Sequence, residues 1–206
     1  MNVIASRPTA LVEAFARTST SIISDCLDRL PGARLRPFHR IEGTMAGLAL
    51  TVKVPAGDNR AIHQALELLV SGQVLVVDGG GDLSRALMGD IMAAIAEKRG
   101  AAGVVVDGAI RDLATISKGS FPIFARGGYH RGPYKNGPGE INVPVSIGDM
   151  IVSPGDLVVG DHDGIVAFPI AQAAELLDRC LATERKEAEM LAQIAAGTYR
   201  GAYAAH

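Results

Sequence analysis

An arginine and an aspartate stand side by side as Arg111-Asp112, shortly after an apolar run over residues 104–106. A carboxylate oxygen at such a position suits Mg²⁺ or Mn²⁺, because these ions keep several water ligands and need few protein carboxylates. A guanidinium group suits bidentate binding of a substrate carboxylate. The simpler alternative is that Asp112 caps the next helix while Arg111 faces solvent.

A second group of candidate residues is Gly89-Asp90-Ile91-Met92. The backbone N–H groups of the last three residues lie near the start of a predicted helix, so they can face a ligand carboxylate or an oxyanion. Gly89 would permit close approach, because it has no Cβ. The alternative is that Asp90 only complements the helix dipole, a contribution of ~0.3–1 kcal/mol. Spacing alone does not choose between the two interpretations.

Both groups fall in the most regular part of the chain. Residues 74–77 and 104–106 have the continuous apolar pattern of strands buried on both faces, and residues 84–99 between them have helical periodicity. A strand–helix–strand unit predicts parallel strands joined by a right-handed crossover. Open α/β sheets bind ligands at the carboxyl ends of their strands. Loops 78–82 and 107–112 are both expected at that end of the sheet.

The remaining patterns predict a single α/β domain over residues 1–206. Helices are expected over residues 7–30, with a break at 18–21, and over 61–70, and strands over 43–54 and 121–125. Residues 126–140 form a long loop rich in glycine and proline, and loops of this length are often functional. Short antiparallel strands follow from residue 141. A charged helical tail is predicted over about 170–206.

Several other motifs give weaker signals. The glycines at 79–81 could cradle a phosphate, but Ser84 replaces the third glycine of the dinucleotide pattern and no P-loop lysine is present. A tight turn is the alternative. None of the five histidines has a partner at zinc-ligand spacing, and His130 lies in the long loop, where it either contacts substrate or is an ordinary loop residue. Cys26 and Cys180 are expected to be buried thiols.

Composition narrows the classes of partner. The net charge is −2, from 20 basic and 22 acidic residues, which gives no electrostatic basis for binding nucleic acid or an anionic membrane. No apolar run approaches the ~20 residues that span a bilayer, and the N-terminus lacks the pattern of a signal peptide. We therefore predict a cytoplasmic protein that acts on a small molecule.

The run GDIMAAIAEKRGAAGVVVDGAIRD, residues 89–112, resembles the 4-hydroxy-4-methyl-2-oxoglutarate / 4-carboxy-4-hydroxy-2-oxoadipate aldolases. These are class II pyruvate aldolases of the RraA-like superfamily. The resemblance extends to TSTSIISDCLDRL, VVDGGGD, PYKNGPGEINVPVSIG, PGDLVVGDHDGIVAFP and the charged tail, and so covers most of the chain. It implies a compact β-core flanked by helices, like a swivelling β/β/α domain, in homotrimers or hexamers with sites between subunits.

The resemblance also implies roles for individual residues. Asp112 would ligate Mg²⁺ or Mn²⁺ directly, and Arg111 would bind the pyruvate moiety. Asp90 would hold the metal through water, together with Glu187 from the tail helix of a neighbouring subunit. The backbone from Gly89 to Met92 would contact the substrate. The implied reaction is retro-aldol cleavage of a 4-hydroxy-2-oxo di- or tricarboxylic acid to release pyruvate, accompanied by oxaloacetate decarboxylation.

The sequence departs from that pattern at one position, and other functions stay open. Relatives usually carry an acid three residues after the metal-binding aspartate, where this chain has Thr115. A non-enzymatic branch of the superfamily binds and inhibits an RNA-degrading endonuclease, but it lacks the aspartate that stands here at 112. A regulatory binding protein is thus the main alternative. A cofactor-binding transferase is the third, although no N-terminal dinucleotide-binding unit is present.

Overall fold

A mixed β-sheet organises the chain, whose computed structural model describes residues 6–28, 32–40 and 42–201. The strands in chain order are β1 (Arg36–Pro37), β2 (Met45–Lys53), β3 (Gln73–Asp78), β4 (Ala86–Met88), β5 (Gly103–Ile110), β6 (Ile123–Gly128), β7 (Glu140–Ile141), β8 (Val145–Ile147), β9 (Met150–Val152), β10 (Leu157–Asp161) and β11 (Gly164–Phe168). All belong to one sheet except β8 and β9, which form a separate antiparallel pair.

Six α-helices are present in the described residues. They are α1 (Ser6–Phe15), α2 (Thr20–Cys26), α3 (Arg60–Leu68), α4 (Asp90–Lys98), α5 (Leu113–Ile116) and α6 (Ala173–Ala195), and a short 3₁₀ helix, Ile170–Gln172, precedes α6. The predicted break between the first two helices is confirmed. Ser19 caps the N-terminus of α2, because its side chain accepts a hydrogen bond from the backbone N–H of Ile22. Leu30, Pro31 and residues 202–206, on which parts of the helix predictions fall, lie outside the described residues.

The order of strands along the main sheet is β1-β6-β5-β3-β2-β10-β11. The four central strands, β6, β5, β3 and β2, are parallel, as the strand–helix–strand pattern predicted, and the outer pairs are antiparallel. Ala33, just before β1, bridges Ile165 of β11. The two ends of the sheet therefore meet, and the sheet is a nearly closed barrel flanked by helices. This architecture confirms the predicted fold class.

The apolar core is divided among the two sides of the sheet and a terminal helical layer. Leu75 and Val77 of β3 pack with the apolar faces of α3 and α4, while Val74 and Val76 point to the other side, toward β8 and β9. Burial on both faces is the reason for the continuous apolar run. Helices α1, α2 and α6 cover β10 and β11 with a third cluster that includes Phe15.

Two predicted elements are wrong in their bounds. Residues 84–99 were predicted as one helix, but Ala86–Met88 is a strand that pairs with the end of β5, and the helix starts only at Asp90. Asp107-Gly108 was expected to end a strand, yet β5 continues to Ile110 through an irregularity in its pairing with β6. A short apolar strand and a buried helical turn have the same composition, so pairing with β5 decides between them.

The predictions about the two cysteines and about membrane-spanning segments can be compared directly with the structure. Cys26 and Cys180 are both buried free thiols, as predicted. Burial raises the pKa of the Cys180 thiol to about 12, and the adjacent Cys26 adds to the shift. Across residues 6–28, 32–40 and 42–201, every helix is too short or too polar to traverse a bilayer.

Candidate active site

Arg111 and Asp112 follow β5 directly, and their backbone geometry is tightly set. The Arg111 N–H donates to the carbonyl of Met88 at 2.9 Å, so β4 holds the end of β5 in place. Asp112 has a left-handed backbone with φ of 60°, an uncommon state that aspartate tolerates better than most residues. Asp112 precedes α5, but its carboxylate makes no capping hydrogen bond to that helix. Simple helix capping therefore does not explain Asp112.

The Asp112 carboxylate instead turns toward the start of α4. Its Oδ2 accepts a hydrogen bond from the backbone N–H of Asp90 at 3.2 Å and lies 3.5 Å from Nε of Arg111. The two predicted groups of residues, 22 positions apart in sequence, are thus brought together. Arg111 and Asp112 keep 43% and 37% of their side-chain surface exposed, so both can reach a ligand from solvent.

Gly89 is the reason this contact can form. A Cβ placed on Gly89 would lie 2.3 Å from Oδ2 of Asp112 and 3.1 Å from Cγ of Arg111. The φ of Gly89 is −143°, which any residue adopts, so the glycine is needed for space rather than for conformation. In this structure the group that approaches Gly89 closely is the Asp112 carboxylate, and close approach of a ligand stays a prediction.

The backbone N–H groups at the start of α4 are less available than expected. The N–H of Asp90 donates to Asp112, and the N–H of Ile91 donates to Oδ1 of Asp90 at 2.7 Å. The prediction of free N–H groups is therefore wrong for these two residues in the isolated chain. The physical cause is the positive end of the α4 dipole, which attracts the nearest carboxylates.

A cavity of about 190 Å³ opens beside these groups. One side of its lining comes from β4, the start of α4 and the Arg111-Asp112 pair, which include the predicted residues Gly89, Asp90, Ile91, Met92, Arg111 and Asp112. The other side comes from α3 and the long loop, through Asn59, His63, Pro133 and Lys135. The long loop was singled out from the sequence, but the α3 part of this side was missed, because no spacing rule connects α3 with a loop more than 60 residues later.

Loop residues 132–137 are fixed to the start of α3 by hydrogen bonds. Asp58 Oδ2 accepts from the backbone N–H groups of Asn136 and Gly137 at 2.7 and 2.8 Å. Tyr134 donates its N–H to Gly57 and accepts from the N–H of Asn59, at 2.8 and 3.0 Å. The guanidinium group of Arg85 stacks on the Tyr134 ring at 3.8 Å. The loop that carries Lys135 therefore forms a wall of the cavity that is held in place by hydrogen bonds.

Two ionisable groups on this side have shifted pKa values. Burial lowers the pKa of His63 below its ordinary value, and the positive charge of Lys135 lowers it further. His63 is therefore neutral at neutral pH. Burial alone would raise the pKa of Asp58, but hydrogen bonds from the backbone of Arg60, Gly137 and Asn136 outweigh it and the net pKa is lowered. The Asp58 anchor is thus ionised throughout the neutral range.

The donors around Asp112 fit a hard divalent cation better than zinc. Two carboxylates, from Asp90 and Asp112, face one end of the cavity, and within the described ranges no three His, Cys, Asp or Glu side chains cluster as a complete metal site. Oxygen donors that leave several positions to water suit Mg²⁺ or Mn²⁺. Glu187 is exposed on α6, which packs on α1 and α2, and it does not line the cavity of its own chain.

Other candidate residues lie near or away from this site. His130 and Tyr129 line a shallow pocket that also includes Arg111 and Asp112, so His130 lies beside the site. Thr115 shares a third pocket with Asp90. The glycine loop does not line the Asp112 cavity. The N–H of Gly80 donates to the Asp78 carboxylate and that of Gly81 to the Asp107 carbonyl, which agrees with the tight-turn alternative for residues 79–81.

A larger cavity of about 700 Å³ lies elsewhere, between α2 and the turns around Gly148 and Gly164. Arg126, which lines this cavity, already forms an ion pair, because its Nε and Nη2 both lie 2.6 Å from Oδ1 of the buried Asp107. This pairing raises the pKa of Arg126 further above its ordinary value. None of the residues predicted from sequence to do chemistry lines this cavity. The smaller cavity is therefore the better candidate for an active site.

Comparison with known proteins gives consistent matches over most of the chain. A family model described as RraA-like (Aldolase/RraA) matches residues 20–167. A protein of Halalkalibacterium halodurans, provisionally named a 4-hydroxy-4-methyl-2-oxoglutarate aldolase, is 39% identical over 180 residues, which cover 86% of this chain and 84% of that protein.

Solved structures show the same fold. The RNA-processing inhibitor RraA from Thermus thermophilis superposes with a TM-score of 0.67 at 32% identity, covering 74% of this chain and 93% of that chain. An uncharacterized protein from Pseudomonas syringae superposes with a TM-score of 0.81 at 28% identity, covering 93% and 91%. The chain is therefore similar both to a relative that is named as an aldolase and to an RNA-processing inhibitor.

Proposed function

Because the chain belongs to the RraA-like family, we propose that it is a divalent-metal-dependent aldolase that releases pyruvate from a 4-hydroxy-2-oxo di- or tricarboxylic acid. The observation that carries this proposal is the convergence of Arg111, Asp112 and Asp90 at one end of a cavity. Oxaloacetate decarboxylation is proposed as an accompanying activity, since it passes through the same pyruvate enolate. The aldolase-named relative supports aldolase activity in general.

The reaction requires stabilisation of negative charge on the pyruvate half. The bond between C3 and C4 breaks, the C4 hydroxyl loses its proton and becomes a carbonyl, and the bonding electrons pass to C3 as the enolate of pyruvate. Protonation at C3 then gives pyruvate. Arg111 would bind the pyruvate carboxylate or keto oxygen with its planar fork and stabilise the charge that develops there.

The carboxylates would hold the cation. Asp112 would be a direct ligand, and Asp90 would bind through water, joined by Glu187 of a neighbouring subunit. When bound, the divalent ion supplies Lewis-acid chemistry that favours enolate formation. The left-handed backbone of Asp112 and its contact with the Asp90 N–H preorganise that carboxylate before any ligand arrives. Substrate contact with the backbone from Gly89 to Met92 belongs to the same proposal, and at Asp90 and Ile91 it requires that the N–H groups leave their present carboxylate partners.

A regulatory binding protein is the second candidate, and the similarity to the RNA-processing inhibitor RraA favours it. Asp112 argues for catalysis, because the resemblance described above assigns the non-enzymatic branch a sequence without that aspartate. A homotrimer or hexamer in the cytoplasm is proposed with either function. Pyruvate release separates the two, since a binding protein has no reason to turn over a 4-hydroxy-2-oxo acid.

Metal dependence is the first test of the aldolase proposal. Pyruvate release from oxaloacetate and from 4-hydroxy-4-methyl-2-oxoglutarate should stop in excess chelator and return with Mg²⁺ or Mn²⁺, because Asp112 needs the cation to act on the substrate. A coupled lactate dehydrogenase assay measures it. Metal-only reactions correct for uncatalysed decarboxylation, and Asp112→Asn is the matched control. Undiminished cleavage in chelator would rule out the metal-dependent mechanism.

Gly89→Ala should lower turnover on the order of 10²-fold, because a small displacement of a catalytic group has effects of this size. The added methyl group would lie only 2.3 Å from Asp112 Oδ2 and would force this carboxylate to move. The matched control is Gly119→Ala, whose Cβ would meet only Ile116 O at 3.7 Å. Steady-state kinetics and thermal unfolding should be measured on both variants. Normal kinetics for Gly89→Ala would contradict the assigned geometry.

A further inference from the structure

The tip of the Arg111 side chain is held mainly by packing. Its Nε lies 3.5 Å from Oδ2 of Asp112, and the guanidinium group has no other polar partner among the described residues. A Cβ placed on Gly89 would lie 3.1 Å from Cγ of Arg111, and a Cβ placed on Gly132 would lie 3.1 Å from its Nη1. The backbones of these two glycines therefore border the stem and the tip of the side chain.

The backbone of Gly132, in the long loop, is held by the side chain of Arg85. Nη1 of Arg85 donates a hydrogen bond to the Gly132 carbonyl at 2.8 Å. Backbone hydrogen bonds to other segments anchor the loop on either side, at Arg131 and at Tyr134, each at 2.8 Å. Arg85 thus supplies the polar contact at the one loop residue that borders the tip of Arg111.

The Arg85 side chain is itself well fixed. Its Nη2 donates to the Tyr134 hydroxyl at 2.6 Å, and its guanidinium group lies 3.8 Å from the centroid of that ring. Its aliphatic part packs at Gly57, where an added Cβ would lie 2.9 Å from Cδ of Arg85. Arg85 also directly precedes β4, whose Met88 carbonyl accepts from the backbone N–H of Arg111. It is therefore attached to both supports of Arg111, the strand and the loop.

We propose that Arg85 is a positioning residue, which sets the guanidinium group of Arg111 for the pyruvate half of the substrate. It acts through Gly132, whose backbone occupies the space beside Nη1 of Arg111. Arg85 does not line the cavity, so it has no direct contact with a ligand there. The inference rests on the proposed aldolase function. A misplacement of about 1 Å in a catalytic group can cost on the order of 10²-fold in rate.

The variant Arg85→Met removes both hydrogen bonds but keeps an unbranched side chain that can pack on Gly57 and Tyr134. It should lower kcat on the order of 10-fold for oxaloacetate and for 4-hydroxy-4-methyl-2-oxoglutarate alike, because both contain the pyruvate half. Exchange of the pyruvate methyl protons in D₂O, followed by NMR, should slow by a similar factor. Mn²⁺ affinity, measured by calorimetry, should stay at the wild-type value, because Arg85 contacts neither carboxylate of the proposed cation site.

A double-mutant cycle separates positioning from a general structural role. If Arg85 acts through Arg111, Arg85→Met should cost less than about a further twofold in kcat when Arg111 is already lysine. The matched control is Arg99→Met, which should have wild-type kinetics. Arg99 also donates to a backbone carbonyl and bonds to a side chain, both of Glu67, but it lies outside the cavity lining.

Gly132→Ala tests the same contact from the other side. The added Cβ would lie 3.1 Å from Nη1 of Arg111, so the guanidinium group must shift although Arg85 is intact. The φ of Gly132 is not in the left-handed region, so the methyl group acts through space rather than through backbone conformation. We expect kcat to fall by at least about threefold. This variant decides the proposal if thermal unfolding shows that Arg85→Met does not fold.

Four results would overturn the role of Arg85. They are wild-type kinetics in Arg85→Met, a full further loss in the Arg111→Lys background, weakened Mn²⁺ binding, and wild-type kinetics in Gly132→Ala. Failure of the aldolase proposal looks different, because the wild-type protein would then neither release pyruvate nor exchange its methyl protons. That outcome would reject the proposed function and the positioning role together.

Discussion

Replacement of Arg111 by lysine is expected to lower turnover on the order of 10²-fold or more, the scale seen when one oxyanion donor is lost. Lysine keeps the positive charge but loses the planar fork that binds a carboxylate or keto oxygen with two parallel hydrogen bonds. Folding should be little affected, because Arg111 is 43% exposed in its side chain and its 3.5 Å contact with Asp112 is a surface ion pair.

The matched control is Arg40→Lys, since Arg40 also forms an exposed ion pair, with Glu42 at 2.6 Å. Single-turnover and steady-state kinetics on both variants would separate substrate binding from chemistry. Mn²⁺ affinity, measured by calorimetry, should stay close to wild type in Arg111→Lys because arginine is not a metal ligand. Near-normal kinetics in this variant would remove Arg111 from the chemical step.

Subunits that carry Glu187→Ala or Asp112→Ala are each expected to be nearly inactive, and a reassembled mixture of the two should regain activity. The reason is the position of α6. Its first half packs through Leu176 and Cys180, whereas its later half, around Glu187, is exposed on its own chain. A glutamate placed there can complete a metal site only on another subunit, as the proposed assembly requires.

The size of the recovery can be anticipated. Where each site is built head to tail from two subunits, random mixing in equal amounts leaves about one quarter of the sites with both carboxylates intact. The Glu189→Ala variant, two residues further along the same exposed helix, is the matched control and should be fully active alone. Confirmed mixed oligomers without recovery would mean that Glu187 does not act across an interface.

Sequence reasoning predicted those parts of the fold that depend on local pattern. The buried strands β3 and β5 are visible in sequence because both faces of each strand are covered, and the Arg111-Asp112 pair stands out because it follows β5 directly. Strand β4 was missed, because three apolar residues gain their strand character only by pairing with β5. Local composition contains no information about that pairing.

The far side of the cavity was not predictable for a related reason. Asn59 is an ordinary residue before a helix until the crossover from β2 to β3 brings it under Leu87 and Met92. Lys135 was one of many polar residues in a loop whose path is set by Asp58. The left-handed backbone of Asp112 is likewise a tertiary result, because only the surrounding contacts hold a non-glycine residue in that state.

The anchoring of loop residues 132–137 has a consequence for how substrate range can change. The start of α3 holds the loop through the Asp58 carboxylate and the backbone groups of Gly57 and Asn59, and each of these bonds ends on a backbone atom of the loop. Bonds to backbone atoms do not depend on which side chains the loop carries. Lys135 can therefore be replaced while the loop keeps these anchors, provided that Tyr134 stays in place for its side-chain contacts with Arg85.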